Sequence, residues 1–69
     1  MPFANLKVPA GLIGPEEKER LVVKVTELYV ELFGEEARAN TMVLVDEVAD
    51  GGWGIRGDVL TLAKLRAKP

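Results

Sequence analysis

The sequence predicts a small α/β (α+β) fold, a β-α-β unit with parallel strands followed by a tight reversal of the chain, and three observations carry that reading. Two short β-favouring runs flank one long amphipathic stripe, and a Gly-rich stretch follows the second run. Strands joined through a helix of this length imply a right-handed crossover and parallel pairing. With 69 residues, 48% of them hydrophobic, the chain reads as one domain spanning residues 1–69. So small a unit buries only about 60% of its unfolded surface, so oligomerisation is expected.

Phe3 to Val8 alternates, with Ala4, Leu6 and Val8 on one face and Phe3, Asn5 and Lys7 on the other, which predicts the first strand. Pro9, Gly11 and Gly14 mark a loop, and Pro15 suits the first helical position because its missing N–H would have no partner there. Glu16, Glu17 and Glu19 match the positive end of the helix dipole. Leu21, Val25, Leu28 and Leu32, widened by Val22, Tyr29 and Phe33, form one apolar stripe, so the helix runs about five turns to Gly34, expected as a left-handed cap. A polar stretch, Glu35 to Asn40, leads into Thr41 to Val45, a β-branched run expected to be a strand buried on both faces. Asp50 to Gly57 is too rich in Gly for a helix and suits a hairpin or a reversing loop. The tail from Asp58 to Pro69 fits either a short helix or an extended arm on a neighbouring subunit.

The chain contains no His, no Cys and no Ser, which excludes Ser-His-Asp and Cys-His catalysis and metal sites built on His or Cys. Its 9 basic against 11 acidic residues leave no basic excess for a phosphate backbone, so no nucleic acid partner is expected. No long apolar run follows a charged start, so neither a signal peptide nor a membrane partner is read, and the expected location is cytoplasmic. Gly52 to Gly57 spells G-x-G-x-x-G, but only 12 residues follow it, too few for the βαβ unit and distant acidic residue of a dinucleotide site. Turn-forming glycines are the better account. Asp46, Glu47 and Asp50 read either as a magnesium or acid/base cluster or as solubilising charge at a strand end.

Pro2 is the distinctive candidate. A small second residue permits removal of Met1, which leaves a secondary amine at the terminus. An α-amino group has an unperturbed pKa of about 7.7–8.0, and desolvation lowers it, so a terminal proline in an apolar pocket serves as a neutral base without any histidine. Pro2 heads a strand directly, so it is held in place. With Met1 retained, the same nitrogen is an amide and cannot accept a proton.

Met1–Pro2 running straight into a strand, the loop ending Gly14–Pro15–Glu16–Glu17–Lys18, the helix, and Val43–Leu44–Val45–Asp46–Glu47 leading to Gly51–Gly52–Trp53–Gly54–Ile55 together resemble the 4-oxalocrotonate tautomerase family, the short members of the tautomerase superfamily. The resemblance covers nearly the whole chain. It implies a β-α-β unit with a C-terminal hairpin that packs on an adjacent subunit, a homohexamer, and a cofactor-free isomerase. In such an enzyme Pro2 is the general base on a small enol or 2-oxo acid. Trp53 matches the family's pocket-lining aromatic residue. The family's two substrate-binding arginines fall on Leu12 and Met42, neither of which holds a carboxylate, so dienol dicarboxylates are not expected substrates. Arg56 and Arg38 are the candidate replacement cations, Arg56 preferred because it shares the Gly-rich turn with Trp53; a surface Arg56 paired with Asp58 or Asp50 is the other reading. A hydratase or dehalogenase chemistry using protonated proline, and a catalytically silent oligomeric module, are the alternatives.

Overall fold

A computed structural model describes residues 2–67; the expected removal of Met1 concerns a residue outside them. In chain order the elements are β1 (Phe3–Pro9), α1 (Pro15–Phe33), α2 (Ala37–Asn40), β2 (Met42–Val48), β3 (Trp53–Ile55), β4 (Asp58–Leu60) and α3 (Leu62–Arg66). β1 and β2 pair in parallel from Phe3 opposite Met42 to Pro9 opposite Val48, with α1 as the crossover between them. β3 and β4 form a separate antiparallel hairpin.

α1 begins at Pro15, as its sequence requires, and the Glu17 carboxylate accepts from the Gly14 N–H at 2.9 Å. It ends at Gly34, whose N–H donates to the Val30 carbonyl at 2.8 Å. The φ of Gly34 is 99° but its ψ is 169°, outside the left-handed helical region, so the stop is an extended glycine turn rather than the expected left-handed cap.

Part of the polar stretch before β2 coils into the single turn α2, which the sequence pattern did not indicate. Ala37, buried at 5% exposure, anchors it, and its ladder is closed by Thr41 N–H to the Ala37 carbonyl at 2.8 Å. β2 starts one residue later than expected and continues three residues past Val45. The acidic residues stay in the strand because each finds a cation. Lys7 Nζ lies 2.5 Å from Asp46 on the neighbouring strand, and Lys18 Nζ lies 2.5 Å from Glu47.

The expectation that this strand is buried on both faces does not hold within one chain. The face bearing Ala4, Leu6, Val8, Val43 and Val45 is the more buried one, with α1 packed against β2. The opposite face is open, with Phe3, Met42 and Leu44 exposed by 55%, 57% and 46%. A two-stranded sheet with one crossover helix has nothing left to cover that side. Only Ala4 and Ala37 are buried apolar residues among those described. The radius of gyration is 15.0 Å against the roughly 11 Å of a compact chain of this length.

Arg56 and Gly57 both have positive φ, 55° and 77°, as the two-residue turn of a hairpin requires. The tail begins as strand β4 of the hairpin and continues as the short helix α3; Lys68 and Pro69 lie outside the described residues. The Thr61 hydroxyl accepts from Lys64 N–H at 3.2 Å, Asp50 Oδ1 accepts from Leu62 N–H at 2.8 Å, and Arg66 donates to the Gly11 carbonyl at 2.9 Å, folding the segment back on its own chain.

Candidate functional site

Pro2 stands at the head of β1, and its carbonyl accepts from the Met42 N–H at 3.0 Å. That bond ties it to the first residue of β2, so the ring is held by the sheet on its C-terminal side. The ring forms one wall of an open groove of about 640 Å³ whose other walls are Phe33, Glu36, Ala37 and Asn40. Phe33 comes from the last turn of α1, where it packs edge-on against Tyr29 with ring centroids 6.0 Å apart. Asn40 donates from Nδ2 to the Glu36 carbonyl at 3.0 Å, which orients its amide across α2.

α2 is held against α1 by Arg38. Its Nε donates to Glu35 at 2.5 Å, and its Nη1 and Nη2 reach the two oxygens of Glu27. These bonds hold the Glu27 and Glu35 carboxyls below the usual range, chiefly through the hydrogen bonds Arg38 donates, and raise the guanidinium further above its ordinary value. Arg38 is therefore committed to two carboxylates and does not line the groove.

The remaining expected site residues are distributed along the sheet. Met42 is beside Pro2, on the open face opposite Phe3. Leu12 is exposed in the loop after β1, its N–H donating to the Pro9 carbonyl at 3.2 Å. Trp53 is half-buried in β3, with its indole nitrogen shielded and without a partner. Arg56 is exposed at the hairpin turn. β1 runs seven residues away from Pro2, about 3.3 Å for each; Leu12 follows its far end, Trp53 and Arg56 follow the far end of β2, and none of the three lines the groove beside Pro2. One chain thus unites Pro2 with Met42, Phe33, Glu36 and Asn40, and leaves Leu12, Trp53 and Arg56 apart.

Of the acidic residues near the end of β2, Asp46 and Glu47 are paired with lysines and Asp50 caps α3. Among the described residues no ion pair joins Arg56 to Asp50 or Asp58; Asp58 instead lies 3.2 Å from Lys64. Sequence reasoning missed Glu36 and Asn40 because they reach the groove only through α2, and a single turn leaves no periodic signal. Phe33 was legible only as part of the helix stripe.

The family model described as tautomerase enzyme matches residues 2–63. Probable tautomerase K2 of Dickeya dadantii (strain 3937) is 36% identical over 67 residues, covering 97% of this chain and 98% of the relative. Among solved structures, a 4-oxalocrotonate tautomerase isozyme from Methylibium petroleiphilum superimposes with a TM-score of 0.77 at 30% identity, over 97% of this chain and 100% of its own. DmpI from Helicobacter pylori superimposes with a TM-score of 0.74 at 31% identity, over 99% and 100%.

Proposed function

The chain belongs to the tautomerase family of isomerases, and from that premise we propose that it is a cofactor-free tautomerase whose general base is Pro2, freed as the terminus by removal of Met1. The amine takes the proton from the hydroxyl of an enol and returns it to the neighbouring carbon, giving the 2-oxo acid; the reverse direction uses the same shuttle. The observation that carries this reading is the placement of Pro2, fixed at the start of β1 by the 3.0 Å bond from Met42 and set on the wall of an open groove. A base works only when held within reach of the proton it moves, and the strand supplies that hold.

The developing oxyanion calls for a cation. Arg38 is neutralised by Glu27 and Glu35, so Arg56 is the residue we assign, with Trp53 as the apolar wall beside it. Neither lines the groove beside Pro2 in its own chain, and both follow the far end of the parallel pair, so in this reading they come from a second copy. The open apolar sheet face and the extended shape support such an assembly, which we take to be a cytoplasmic homohexamer of the single domain.

The test is ketonisation of phenylenolpyruvate by protein whose mass verifies that Met1 is absent. Pro2→Ala keeps a terminal amine but changes its basicity and rigidity, and turnover falls by about 10² or more. Absence of turnover in the verified wild type would favour the catalytically silent oligomeric module.

A further inference from the structure

The groove beside Pro2 has a chemical character that the reaction alone does not require. Its one ionisable side chain among the described residues is Glu36, an acid; the nearest cation on α2, Arg38, is spent on Glu27 and Glu35. Phe33 offers an exposed ring, and Asn40 offers a side-chain amide whose second N–H and carbonyl oxygen have no assigned partner. An apolar ring, an amide and an acid together suit a neutral group with a hydrogen-bonding edge and oppose an anion.

We propose that this groove receives the uncharged far end of a monocarboxylate substrate, an aryl-bearing 2-oxo acid or its enol, and that Glu36 excludes substrates carrying a second carboxylate there. The inference rests on Pro2 being the base and adds to it a specificity residue and a substrate class. The substrate's own carboxylate and oxyanion then face away from α2, toward the Trp53 and Arg56 end contributed by a second copy. The aryl ring lies against Phe33, and a para hydroxyl can donate to Glu36 or accept from Asn40. A carboxylate at that para position meets the like charge of Glu36; two such charges about 6 Å apart at an intermediate dielectric disfavour binding by roughly tenfold.

The experiment compares kcat/KM for phenylenolpyruvate and its 4-hydroxy and 4-carboxy analogues in Met1-free wild type and in Glu36→Gln. The substitution keeps the Glu36 backbone carbonyl that Asn40 uses and removes only the charge. Wild type disfavours the 4-carboxy compound at least tenfold against the 4-hydroxy compound, and in Glu36→Gln this ratio shrinks toward unity. An unchanged ratio, or a wild type that prefers the diacid, overturns the proposal.

A second readout separates this from failure of the catalytic reading. The wild-type chain has only two side-chain amides, Asn5 and Asn40, and Glu36→Gln adds just one more, so the Asn40 NMR signals are easily followed during titration with the unreactive 3-phenylpropanoate and 3-(4-carboxyphenyl)propanoate. The Asn40 pair shifts with the monoacid, and with the diacid only in Glu36→Gln. No shift at Asn40 with the monoacid overturns the groove assignment even if turnover is seen, whereas the expected shifts without turnover would retain the groove and count against Pro2 as base.

Discussion

Replacing Leu44 probes the open face of the parallel sheet, which the account assigns to contact between copies. Leu44 lies between Met42 and Asp46 on that face, opposite Asn5, and is 46% exposed. Full burial of a leucine side chain is worth about 1.5–3 kcal/mol, so covering the exposed half contributes about 1 kcal/mol per subunit and about 2 kcal/mol where two copies meet. Leu44→Ala should thus weaken association ten- to thirtyfold. Leu44→Glu also puts a carboxylate into that contact at a desolvation penalty of several kcal/mol per ion, so the dissociation constant should rise by about 10³ or more. Sedimentation velocity from low micromolar to millimolar protein reads both variants directly. The wild type should remain assembled across the range and Leu44→Glu should dissociate toward single chains. A Leu44→Glu protein that sediments like wild type at every concentration would refute the assignment of this face.

Three further outcomes are expected. Arg56→Asn keeps a residue that tolerates the left-handed φ of 55° while removing the charge, so melting temperature should hold and phenylenolpyruvate turnover should fall at least tenfold; unchanged turnover would take Arg56 out of the site. Trp53→Ala should lower turnover more than it lowers stability, because Trp53 is only half-buried; a loss approaching the 3–5 kcal/mol of a truncated core aromatic, with activity per folded molecule intact, would assign it to the core. Glu27 and Glu35 have folded-state carboxyls held below their ordinary value by Arg38, so their contribution is present above the unfolded value near 4.5 and lost as pH falls through the lowered folded values. Thermal melts of Arg38→Gln should therefore differ from wild type at neutral pH and converge with it in acid, and a gap that widens on acidification would contradict the clamp.

Much of the fold was legible because its signals are local. The helix stripe from Leu21 to Phe33, Pro15 at its start and Gly34 past its end each state a boundary in a few residues, whereas the Gly-rich stretch from Asp50 to Gly57 announced a reversal without fixing its turn at Arg56–Gly57. The end of β2 was less legible, since the hydrophobic run stops at Val45 while the ladder continues to Val48 on ion pairs to Lys7 and Lys18 that are remote in sequence. α2 was not legible at all, because it depends on one buried alanine and on Arg38 reaching Glu27 across eleven positions. The groove inherits that difficulty. Pro2 could be singled out by its chemistry, but Glu36 and Asn40 become its neighbours only after α2 folds back toward the head of β1.

The most direct test of Pro2 as base compares two forms of the protein differing only at the terminus, one beginning at Pro2 and one retaining Met1, each verified by intact mass. The first form should ketonise phenylenolpyruvate and the second should show no turnover above the uncatalysed rate, because an amide nitrogen cannot take the proton. Equal turnover by both forms would contradict this and remove Pro2 from the chemistry while leaving the fold as described.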